Sequence, residues 1–90
     1  MRCCVLCGSN KWIERHHIFG GALRKKSEKY GLVVDLCHNC HNEPPDGVHH
    51  NKGAMLKLHK YGQIKAMQEQ GWTIERFRKE FRKNYLNVEE

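Results

Sequence analysis

Residues 32–41 read Leu-Val-Val-Asp-Leu-Cys-His-Asn-Cys-His, and this decapeptide decides the fold. Its first half, Leu32 to Leu36, is the most strand-like run in the chain, rich in β-branched and aliphatic side chains. Its second half is a Cys-x-x-Cys unit, whose tight turn offers two thiolates to one ion. A matching unit lies at Cys4 and Cys7, where Gly8 relaxes the backbone behind the second sulfur. Four thiolates in two such units close a tetrahedral zinc site, so Cys4, Cys7, Cys37 and Cys40 are the expected structural ligands. Cys3, the fifth cysteine, has no evident partner. The odd count, the spacing and the lack of a secretory signal all argue against disulfides.

Between the two cysteine units lies His16-His17, followed by Phe19-Gly20-Gly21. Adjacent strand residues point to opposite faces, so the two imidazoles have different jobs. One is placed to bind a divalent ion and the other to face a reacting group. Phosphodiester hydrolysis needs both: an ion against the charge that develops on the phosphate, and a base that works near pH 7. His41 follows Cys40 directly, and the Pro44-Pro45-Asp46-Gly47 turn can carry His49 back towards it. With one member of the doublet they form a three-imidazole site with open positions. His50 is an alternative to His49, because spacing alone does not separate neighbours. His38 lies inside the second knuckle and is expected to be exposed, and His59 lies in the helix and is expected to be unrelated to the site.

Ninety residues make one domain with a marginal core, so a structural metal would supply stability that packing cannot. Sixteen Lys and Arg against ten Asp and Glu give a net charge of +6, which favours a polyanionic partner, nucleic acid before membrane. Arg24, Lys25, Lys26 and Lys29 form a basic cluster suited to phosphate contacts that add affinity without reading sequence. A second cluster comprises Arg76, Arg78, Lys79, Arg82 and Lys83. No apolar run is long enough to cross a bilayer, and a cytoplasmic location is expected.

Organisation along the chain follows from its breakers. A strand is expected across residues 11–18, a basic loop or helical turn across 22–30, and the second strand from Leu32. The turn at 42–47 cannot be regular helix or central strand. A helix follows from about Gly53 to Gln70, with Gly62 as a possible interruption and Gly71 as its left-handed cap. Met55, Leu56, Leu58, Ile64 and Met67 are its expected apolar contacts. Thr73 is the expected N-cap of a last helix, with Trp72 and Phe77 as a hydrophobic staple. Ile74, Phe77, Phe81 and Tyr85 form one apolar stripe.

The sequence Cys-x-x-Cys-Gly, then His-His-Ile-Phe-Gly-Gly, then Val-Val-Asp-Leu-Cys-His-Asn-Cys-His resembles the HNH endonucleases, or ββα-metal nucleases. Residues 20–51 resemble the phage and prophage members in particular, including the recombination-enhancement type. The likeness covers roughly residues 4–51, a little over half of the chain. It implies a small α+β, ββα-metal (HNH, His-Me finger) fold held by a Cys4 zinc site, with one or two added C-terminal helices. The core would occupy residues 3–60 and the helical extension residues 61–90. By resemblance, His17 is the general base, and His16, His41 and His49 bind one catalytic divalent ion: Mg²⁺, Mn²⁺, Ni²⁺ or Zn²⁺. The expected substrate is DNA, with other phage or recombination proteins as further partners, in the cytoplasm of a bacterial host. Many members carry an Asn just before the second strand that orients the loop bearing the base; here that position is Leu32. The alternative reading, which needs only the cysteines and the basic residues, is a non-catalytic zinc-ribbon module that binds nucleic acid.

Overall fold

The computed structural model describes residues 2–45 and 47–87. Strand β1 (Ile13–His17) pairs antiparallel with β2 (Val33–Cys37), in a register that sets Ile13 opposite Cys37 and His17 opposite Val33. Between them lie a single 3₁₀ turn (Gly21–Leu23) and the short helix α1 (Arg24–Lys29). Helix α2 (His38–Asn42) starts where β2 ends, and α3 (Lys52–Gln70) and α4 (Ile74–Phe81) complete the chain. The result is a small α+β protein with a two-stranded sheet.

Local chemistry sets these boundaries. Asn51 caps α3 by accepting from the Ala54 amide at 3.0 Å, and Gly71 ends it in the left-handed conformation at φ 68°. Thr73 caps α4 by accepting from the Arg76 amide. The N-terminal knuckle closes through Gly8 N–H to the Cys4 carbonyl at 2.9 Å, with Gly8 at φ 80°. It is tied to β2 by the Val5 amide, which donates to the Asp35 carbonyl, and by Arg2 on the Asp35 carboxylate.

Ile18, Phe19, Leu32, Leu36, Val48, Phe77 and Phe81 are fully buried in one core that joins the sheet to α3 and α4. Gly62 does not interrupt α3. A Cβ there would meet Ile18 Cγ2 at 2.7 Å and the Phe19 ring at 3.0 Å, so its lack of a side chain lets the helix press on the residues after β1. Ile74 and Ile64 lie on the solvent side, 38% and 45% exposed, so the buried stripe starts at Phe77. Trp72 sets its ring edge-on to Tyr30, 4.8 Å between centroids. Gln63 is fully buried and satisfied: its amide donates to Asn84 Oδ1 at 2.8 Å and accepts from the Tyr85 amide at 2.7 Å, which fixes the C-terminal segment. Among the described residues no helix is long and apolar enough to cross a membrane.

Candidate metal centres and the histidine cluster

The sulfurs of Cys4, Cys7, Cys37 and Cys40 all lie within 4.8 Å of one another, so four cysteines are placed to hold one metal ion. Cys7 Sγ and Cys37 Sγ are 3.6 Å apart, near the tetrahedral edge of about 3.8 Å for sulfurs about 2.3 Å from zinc. The backbone favours thiolate here. Burial pushes the Cys4 thiol up, but backbone donors at Cys37, Cys7 and Leu6 outweigh it and bring it down to about 6. Cys40 is pushed up strongly by burial and the neighbouring sulfurs, the repulsion that a dication would relieve. Cys3 is exposed and lies outside this group.

A second cluster brings His16, His41 and His49 together, again with one candidate ligand atom from each within 4.8 Å of the others. Backbone pairing explains how residues eight apart meet. The Val48 amide donates to the Cys40 carbonyl at 2.7 Å, and the His49 amide to that of His41 at 3.4 Å. Only glycine fits at 47 in this turn, since a Cβ would lie 2.7 Å from the Glu43 nitrogen and 2.8 Å from its carbonyl oxygen. His41 and His49 then face each other, Nε2 to Nε2, at 3.0 Å.

His16 is 4% exposed, and its Nε2 is a buried polar atom with no hydrogen-bond partner. Such an atom is costly unless something fills its lone pair. Burial, then the nearby His41 and His49, bring its pKa down to about 4, so the ring is neutral and free to bind a cation at pH 7. Glu14 of β1 accepts from His41 Nδ1 at 2.8 Å, which leaves the His41 lone pair on Nε2, facing His49. Glu14 also accepts from His38 Nδ1 and Asn42 Nδ2, and these bonds hold its carboxyl below the usual range, His38 contributing most. The donor set therefore fits a divalent ion: three converging imidazoles, one of them with an orphaned nitrogen, with an acid behind a second.

His17 points elsewhere. Its Nε2 donates to Glu28 Oε1 of α1 at 2.8 Å, and Arg15 grips the same carboxylate with two bonds of 2.6 and 3.0 Å. The contact with His17, and then that with Arg15, hold Glu28 below the usual carboxylate range. A carboxylate only accepts, so the His17 proton in this bond sits on Nε2, and Nδ1 is the ring nitrogen outside it. Both members of the doublet, with His41, His49, Arg15, Arg24 and His59, line one cavity of 460 Å³.

No family model, curated protein or solved structure matches this chain.

Of the expected phosphate contacts, Arg24 lines this cavity. Lys26 donates to the Glu80 carbonyl at 2.7 Å and lies 3.6 Å from its carboxylate, which ties α1 to α4. Lys25 and Lys29 are exposed outside it, with Lys29 over the Tyr30 ring. His50 lies outside the three-histidine group. His38 is half-buried between Glu14 and Glu43. His59, set apart by its helical position, stacks on Phe19 at 5.2 Å and walls the cavity. Sequence reasoning missed Glu14 and Glu28. The strand register places Glu14 two residues before His16, on the same face, and that period was the available signal.

Proposed function

We propose that this chain is a metal-dependent endonuclease of the HNH type that hydrolyses DNA phosphodiester bonds. One observation carries the reading: an orphaned, buried His16 Nε2 converges with His41 and His49, while the next residue, His17, is held by a carboxylate through Nε2, with Nδ1 outside that bond. A purely structural zinc ribbon requires neither. In this reading the Cys4 group binds zinc and keeps β2 and α2 in place. His16, His41 and His49 would hold one divalent ion, which would supply positive charge against the phosphate and the departing O3′. Glu14 fixes the His41 ring, and Glu28 fixes that of His17.

His17 Nδ1 takes a proton from water as the water oxygen bonds to phosphorus. The P–O3′ bond breaks, and the freed 3′ oxygen is protonated from solvent. Arg24 offers a cation to the non-bridging oxygens; Arg15 is committed to Glu28. Relaxation of supercoiled plasmid with Mg²⁺, Mn²⁺ or Ni²⁺, with and without chelator, tests this. Nicking is expected in wild type and loss of it in His17→Ala. Intact plasmid with every ion, or equal cutting by His17→Ala, sinks the proposal. Metal content provides a second check: two ions per chain, the weaker one lost in His16→Ala.

A further inference from the structure

The cavity at His16 opens into a second groove, and the two share His49, Met55 and His59. This second groove, of 790 Å³, runs from His50 and Lys52 at the start of α3 past Met55 and Leu56 to Lys83 and Tyr85. Six of the seven histidines line one groove or the other, and no described Asp or Glu lines either. Elsewhere the basic residues are often paired: Arg2, Arg15, Lys26, Lys65 and Arg76 each have a carboxylate within 4.0 Å. Among the described residues Lys52 and Lys83 have none. At Lys83 the groove also meets a surface cavity bearing Arg78 and Arg82 with one acid, Glu75.

One wall of the groove is aromatic. Tyr85 packs against His59 at 4.5 Å and Phe19 at 5.5 Å, and its backbone is held by the buried Gln63. Beside it Met55 and Leu56 present aliphatic surface. Lys83 Nζ lies over the Tyr85 ring, 5.3 Å from its centroid, and a base that stacks there would displace it. An aromatic ring with ammonium groups beside it suits an unstacked nucleotide, whose base takes the ring while its phosphates meet the displaced cation and Lys52. An intact duplex keeps its bases stacked inside and would leave such a wall unused.

We propose that this groove is a nucleotide subsite. It takes one unpaired nucleotide of a DNA strand, with the base against Tyr85, Met55 and Leu56 and the phosphates at Lys52 and Lys83. Resting on the nuclease reading, that nucleotide flanks the scissile phosphate, and the favoured substrates are single strands, flaps and gaps.

The test is fluorescence anisotropy with a labelled 12-nucleotide single strand and the matching duplex, using zinc-loaded protein with no other divalent ion. The single strand is expected to bind at least about tenfold more tightly. Lys52→Ala and Lys83→Ala should each weaken it several-fold and reduce the salt slope by about 0.7. Tyr85→Leu should weaken it about tenfold, whereas Tyr85→Phe should bind as wild type. Tyr85 also packs on the core, so zinc content and far-UV circular dichroism verify each fold; the exposed lysines carry the test independently. Equal affinity for single strand and duplex overturns the subsite, as does a Lys52→Ala/Lys83→Ala double variant with unchanged affinity and slope. Binding needs no cutting, which separates the two proposals. Intact plasmid with the binding pattern above sinks the nuclease and leaves the subsite; cutting without that pattern does the reverse.

Discussion

Replacing Gly62 with Ala sets two effects of known size against each other. At an open helical position the change stabilises by about 1 kcal/mol, because glycine has the greater freedom to lose. Here the new methyl would lie 2.7 Å from Ile18 Cγ2 and 3.0 Å from Phe19 Cε2. Neither neighbour has room to retreat. Ile18 is 1% exposed, and the Phe19 ring is enclosed by His59, Phe77, Phe81 and Tyr85 at 4.7–5.6 Å. Overpacking of this kind costs about 1–3 kcal/mol. With a mid-range cost of about 2 kcal/mol, the net is a loss of about 1 kcal/mol, or roughly 4–8 °C in Tm for a domain of this size. Thermal unfolding of the zinc-loaded protein followed by circular dichroism measures it. Ile18 and Phe19 directly follow His17, so a shift of even part of an ångström also displaces the doublet, and nicking should fall more than the population of folded protein does. A Tm equal to or above wild type would show that α3 does not press on Ile18 and Phe19.

Three other outcomes are expected. Glu28→Gln removes the carboxylate that orients His17 and should lower the nicking rate about 10–100-fold with little change in DNA affinity, measured in single-turnover and binding assays. Chelation of the cysteine-bound ion should abolish cooperative unfolding, since structural zinc contributes about 10–16 kcal/mol where whole domains have about 5–15; a chelated protein that still melts cooperatively argues against the site. Stability should fall on acidification when the histidine cluster holds no ion. His16 is neutral in the fold down to about pH 4 but titrates near 6.5 when unfolded, so the unfolded chain binds the extra proton between these values. Glu14, held low by His38 and His41, gives a loss of the same sign at lower pH, while His38, raised by Glu14 and Glu43, works in the opposite direction. The urea midpoint of wild type should therefore drop more between pH 7 and 4.5 than that of His16→Gln. Parallel profiles would refute the assignment.

How much was legible depended on whether the chemistry is local. Two Cys-x-x-Cys units announce a shared ion, because ligand spacing within a turn is fixed by covalent geometry, and the four sulfurs do converge. Gly71 and Thr73 were equally readable, since a left-handed cap and an N-cap need only their own neighbours. The pairing of His41 with His49 was readable because Gly47 allows the turn between them. Glu14 and Glu28 were not, for a single acid among many charges says nothing until the strand and α1 are placed. Gly62 was ambiguous in sequence: a helical glycine marks either a break or a close approach, and only the contacts of Ile18 and Phe19 decide. His59 was misplaced for the same reason, as a helix position fixes a face but not what that face meets. Of the basic cluster, Lys26 was legible as a charge but not as the anchor of α4, which lies 54 residues away.

The bridge that Glu14 makes from β1 to His38, His41 and Asn42 has a consequence for the two metal centres. Cys40 and His41 are consecutive, so the helix turn that delivers the fourth sulfur also delivers an imidazole. Neither centre can be assembled without shaping the other. Occupancies of the two would therefore be thermodynamically linked: whatever free energy zinc added to ion capture at the histidines, an ion at the histidines would return to zinc retention. With both sites filled, a protein this small would be one cooperative unit around two cations, not a scaffold and a separate site.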